Sequence, residues 1–279
     1  MTEAKTIDEV IQRMTQIVED SKAKESRLGY FAALYREVTI TVKRRIDDGN
    51  YFDDNARMEK FDVIFASRYL AAYDLAQSGS QPTLCWAYAF GVTRQWWPIA
   101  LQHLLLGINA HIGLDLGIAT FETVGAQGLP ALHGDFDKIN DLLASLVRDV
   151  KEKLAMVWPP LHWLNEYLGE VETGVINFSM GKARDSAWAL AQELGRLEEK
   201  DRAIVIARRD DDVLLLSHAI RDPGVFLTLV TKAVRLGERG SVSQIIGVLE
   251  DQARQWSAAV ALGKEIRHMS PPSDPKSRS

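Results

Sequence analysis

The chain has 279 residues, 46% of them hydrophobic and 25% charged, with 19 glycines and 9 prolines. That composition matches a soluble globule with ample material for a core, and it excludes collagenous, disulfide-scaffold and largely disordered classes. With 33 Lys and Arg against 38 Asp and Glu the formal charge is −5, so no global basic field holds phosphate backbones and nucleic acid is not an expected partner.

The first twenty residues place Ile7, Val10, Ile11, Met14, Ile17 and Val18 at helical spacing among acidic residues, which reads as an amphipathic helix and not as the continuous apolar run of a secretory signal. A second helix spans Gly29 to Asp48 and stops at the turn cluster Asp47-Asp48-Gly49-Asn50. Asp53 and Asp54 can cap a third, which ends before Ser78-Gly79-Ser80. Pro82 opens a short aromatic helix with Trp86, Tyr88 and Phe90, and Pro98 opens a long apolar one, about 99–121.

Gly125, Gly128, Pro130 and Gly134 predict a loop, followed by a helix from Asp135 to about Val157 and a break at Trp158-Pro159-Pro160. Helical patterns then run through GKARDSAWALAQELGRLEEK, DDDVLLLSHAI, Val225 to Gly237 and SVSQIIGVLEDQARQWSAAVALGKEI. The stretch Ala203 to Ile206 has no visible strand partner and is taken as helix or loop. The expected architecture is all-α: one multi-helix domain over 1–268, built around the central apolar helix, with a frayed Pro/Ser-rich tail over 269–279. The lone Cys85 can make neither an internal disulfide nor a cysteine zinc site, so a reducing, cytoplasmic location is expected.

The segment QHLLLGINAHIGLDLGIA concentrates the polar signal. Its leucines and isoleucines cover the whole helical circumference, so it belongs inside. It is long enough to span a membrane, but Gln102, His103, Asn109, His111 and Asp115 make insertion costly, and no membrane span is expected. His103, Gly107, His111 and Asp115 stand four apart and wind slowly along one side. Buried imidazoles and carboxylates cost roughly 2–7 kcal/mol unless satisfied, so this stripe needs protein, water or a metal as partner.

Two imidazoles and a carboxylate suit zinc, with iron or manganese as alternatives, and His111-x-x-x-Asp115 puts two donors one turn apart. His103 lies about 12 Å further along the axis, so it would serve a second ion or a hydrogen bond. Asp62 can complete the set, and Arg36 or Arg68 can hold a substrate carboxylate or phosphate; alternatively Arg36 and Asp62 form a buried ion pair. Asp135 is a candidate general base or a helix cap, and His162-x-x-x-Glu166 repeats the one-turn spacing. Gly107, Gly113 and Gly117 read as points of close helix approach.

These segments resemble a family catalogued only as a domain of unknown function, DUF5995. The likeness is carried by YREVTITVKRRIDDGNYFDD, RMEKFDVIFASRYL, QHLLLGINAHIGLDLGIA, DFDKIN and ARDSAWALA, over roughly residues 30–190. It implies a helical fold and singles out His103, Asn109, His111 and Asp115, with no reaction attached. The His-x-x-x-Asp and His-x-x-x-Glu pairs are also similar to those of zinc-dependent phospholipase C and the related single-strand nucleases, although here the further His precedes the pair. The expectation is a metal-dependent hydrolase acting on a small molecule. A metal-free cyclase or isomerase with a His–Asp acid–base pair in an aromatic pocket, or a non-catalytic helical module whose stripe only fixes packing, are the alternatives. Di-iron chemistry is disfavoured by the lack of Glu-x-x-His pairs.

Overall fold

The computed structural model describes residues 4–157, 180–237 and 240–261, and among them every regular element is helical. Helix α1 (Ile7–Ala23) starts at Thr6, whose side chain accepts from the Glu9 N–H, and α2 (Gly29–Asp47) packs against it. Helix α3 (Asn55–Gln77) is capped by Asp54, as its sequence predicts. Helices α4 (Leu84–Val92) and α5 (Ala100–Ala110) each begin two residues past their proline. A π turn (His111–Asp115) leads into α6 (Leu116–Val157), followed by α7 (Met180–Arg196), α8 (Glu199–Arg221), α9 (Val225–Gly237) and α10 (Val242–Ala261). Ala203–Ile206 is part of α8.

The loop expected over 125–134 is instead a single-residue break. Gly125 alone leaves the helical region (φ 63°, ψ −178°), a left-handed conformation that favours glycine. Pro130 lies five residues after that break and forgoes the backbone bond to the Ala126 carbonyl. His162 and Glu166, with the break before them, lie outside the described residues.

One cluster of buried side chains takes members from every helix, and the α5–π–α6 rod runs through it. This rod is long and apolar enough to cross a membrane, yet 89% of its most apolar window is buried by neighbouring helices. Two glycines let neighbours close in on it. A Cβ on Gly107 would lie 2.6 Å from the Phe31 ring, and one on Gly117 would lie 2.6 Å from the Ala187 carbonyl oxygen.

The rod's other polar sector is spent on α8. Gln102 donates to the Ile220 and Arg221 carbonyls, which close the end of α8, and Asn109 donates to the Val213 carbonyl and the Ser217 hydroxyl. Asp210 of α8 accepts from the Leu84 and Cys85 N–H groups (2.5 and 2.9 Å), capping α4 from outside the helix.

Candidate functional site

The π turn is the local event that builds the site. Its Leu116 N–H bonds back to the His111 carbonyl, five residues earlier, while the Gly113 carbonyl accepts from Arg209 of α8 (2.7 Å). Across this turn His111 and Asp115, four residues apart, meet at 3.1 Å. Such turns recur at functional sites.

Asp115 is 2% exposed and fully engaged by donors. Its Oδ2 accepts from Trp86 Nε1–H (2.8 Å) and meets His111 Nδ1 at 3.1 Å, while Oδ1 accepts from Arg68 Nε–H (3.1 Å). Arg68 also reaches Glu122 at 3.4 Å. Burial pushes the His111 pKa below its ordinary value, against the pull of Asp115, so the imidazole is neutral and its Nδ1–H is the donor to the carboxylate. Phe65 stacks on the imidazole (3.7 Å, 7°) and Tyr35 meets it edge-on (4.4 Å). Within this aromatic box His111 Nε2 is buried with no hydrogen-bond partner.

Asp115 and Trp86 line a cleft of about 420 Å³ together with the polar Ser67, Arg68, Thr83 and Glu122 and the apolar Ile64, Ala71, Leu75 and Pro82. A cleft of this size, mostly apolar with a few convergent polar groups, is the form small-molecule sites take. On its other side His111 borders an apolar hollow of about 30 Å³ lined by Phe31, Tyr35 and Leu143.

The other expected site residues go elsewhere. His103 is buried against Tyr30 with neither nitrogen partnered; burial, then the Arg27 and Arg235 charges, push its pKa down to about 3. Asp135 is not among the side chains that line the cleft. It accepts from the Asp53 and Asp54 N–H groups, Arg57 and Lys138, bonds that outweigh its burial and hold the carboxyl below its usual range. Arg36 pairs with Glu250 of α10 (2.7 Å) and with Glu37, and not with Asp62. Among the described residues no three His, Cys, Asp or Glu side chains converge as a metal site, so His103, His111, Asp115 and Asp62 do not assemble into one ligand set.

Left without a cation, Asp62 is buried with Oδ2 unpartnered, and burial, with the Glu59 charge in support, pushes its pKa up to about 8. Between the ordinary 3.8 and about 8 the unfolded chain loses this proton while the folded chain keeps it, so the group makes stability fall as pH rises. Asp62→Asn should remove at least about 1 kcal/mol of that dependence. Denaturant titrations of both proteins at the two ends of the window check this, and parallel pH profiles would refute it.

Sequence reasoning did not assign Trp86 and Phe65 to the site, nor the pairing of Arg68 with Glu122. Trp86 lies 29 residues from the carboxylate it serves, and no local spacing encodes such a partner.

What emerges is an all-helical protein whose central rod carries a buried His–Asp pair, with the Asp at the wall of a small-molecule-sized cleft. The model of a family of unknown function, DUF5995, matches residues 7–223, and the chain belongs to that family. No curated protein and no solved structure matches.

Proposed function

We propose that the protein is an enzyme that binds a small amphipathic molecule in the Asp115 cleft and moves a proton at its polar end, as an isomerase or cyclase does. One observation supports this reading above the others: a π turn sets a neutral, buried imidazole against a carboxylate that also forms the cleft wall. Trp86 and Arg68 fix the carboxylate. Asp115 takes the proton from substrate, and His111, whose Nδ1 already carries the hydrogen it donates across the 3.1 Å contact, orients the carboxylate and does not receive that proton. Ile64, Ala71 and Leu75 suit an apolar body, and Ser67, with a buried hydroxyl lacking a partner, suits a polar end. The buried, unpaired Cys85 fits a reducing, cytoplasmic setting.

The metal-dependent hydrolase remains the second reading, favoured by the unpartnered Nε2 of His111. A cation on Asp115 would compete with Arg68 and Trp86 for oxygens they already hold.

Both readings meet one experiment. The protein is incubated in D2O with a defined panel of small apolar ketones, aldehydes, amines and alcohols and followed by proton NMR. Deuterium enters one class, and Asp115→Asn lowers that rate by about 100-fold or more while the helical circular dichroism is retained. A panel left unexchanged by folded protein overturns the acid–base reading. Stoichiometric zinc in the purified protein, lost in His111→Ala, would install the hydrolase in its place.

A further inference from the structure

Outside the lining of this cleft, one surface of the molecule combines exposed apolar side chains with clustered cations. On α9, Val225, Leu229, Lys232 and Leu236 recur at intervals of four, three and four residues and so share one face, while Thr231 and Val234 are buried on the opposite side. The three apolar members of that stripe are 84%, 62% and 77% exposed, so an apolar stripe of the helix faces outward. Trp96, 61% exposed, stands beside it: Arg235 of α9 lies over its ring at 5.2 Å and donates to its backbone carbonyl. The half-buried Trp97 lies under Arg221 (4.7 Å) and Lys232 (5.7 Å), and Arg94 is exposed two residues before Trp96.

We propose that this edge, Trp96 with the outer face of α9, docks on an anionic lipid surface. Such surfaces accept tryptophan at the headgroup level, leucine and valine just beneath it, and lysine or arginine against phosphate and carboxylate. The edge offers all of these at once. Among the described residues Arg94 and Lys232 are exposed here, and the acid Asp222 is held by Arg221, on a chain whose overall charge is −5. The patch therefore also orients the molecule, since the rest of the surface is repelled by the same membrane.

Charge argues against a second copy and against the C-terminal residues as occupants. A second copy would set Arg94 and Lys232 against the same cations. The chain's own residues 262–279 carry four Lys and Arg against two Asp and Glu, with the same sign as the patch, and among them only Leu262, Ile266 and Met269 could cover large apolar surface.

The full chain is sedimented with vesicles of phosphatidylcholine alone and of phosphatidylcholine mixed equally with phosphatidylserine. Binding is expected to the mixed vesicles only, and to weaken as salt rises. Arg94→Glu with Lys232→Glu, and separately Leu229→Ser with Leu236→Ser, should each weaken it by about tenfold or more, whereas Lys200→Glu, at an exposed site on α8, should leave it unchanged. All of these side chains are exposed, so circular dichroism should show intact helices. Brominated lipid should quench a part of the tryptophan emission that is missing in Trp96→Phe. The proposal is overturned by no sedimentation with the mixed vesicles, by equal binding to neutral vesicles, or by binding indifferent to both variant pairs. It is equally overturned if light scattering finds a dimer that the leucine substitutions dissolve.

Discussion

Asp135→Ala is expected to lower stability by about 2–4 kcal/mol without touching the cleft. The carboxylate is completely buried and holds two backbone N–H groups, Asp53 (2.7 Å) and Asp54 (3.2 Å), together with Arg57 (2.8 Å) and Lys138 (3.2 Å). It thereby ties α6 to the loop that starts α3, doing from another helix what a cap does locally. Removal strands the two backbone donors; Lys138 keeps Asp53, and Arg57 keeps Asp54, which moderates the loss. Because the folded pKa lies below the unfolded one, the contribution is present above the ordinary carboxyl value and fades as pH falls through the folded value. The variant should thus differ most from the parent near neutral pH and least in acid. Urea unfolding at the two conditions tests this, and a loss below about 1 kcal/mol at neutral pH would show that water replaces the clasp.

Asp135 also shows where reading the sequence works and where it stops. The all-helical class, the Asp54 cap and the buried apolar rod follow from local spacing, because helices bury a face at a fixed period and the chain obeys that period. The His111–Asp115 contact is likewise legible, since residues four apart meet on one helix. What local spacing cannot give is the partner on another element. Arg36 meets Glu250 across 214 residues, Asp135 meets Asp53 across 82, and Asp115 meets Arg68 across 47. The π turn is also silent in the sequence, because its wider step is paid for by tertiary bonds such as Arg209 to the Gly113 carbonyl. The glycine cluster at 125–134 misled for a related reason: only Gly125 leaves the helix, while Gly128 and Gly134 are carried along within it.

The largest single effect is expected at Asp115. Asp115→Ala leaves the Trp86 indole N–H and the His111 Nδ1–H buried without an acceptor, and releases Arg68 to Glu122 and solvent, for a loss of about 3–5 kcal/mol. His111→Phe makes the informative contrast. Phenylalanine keeps the stack on Phe65 and removes the orphaned Nε2 acceptor, at the cost of one hydrogen bond to a carboxylate that retains Trp86 and Arg68. Its stability should therefore lie within about 1 kcal/mol of the parent, and a double-substitution cycle should assign most of the Asp115 loss to its other two donors. An imidazole that can be exchanged for a hydrocarbon ring at so small a cost is not what holds the rod in place, and its hydrogen bond to a carboxylate that lines the cleft then calls for a chemical reason. If His111→Phe instead destabilises as severely as Asp115→Ala, the imidazole is a structural keystone, and the proton-transfer reading loses the ground it stands on.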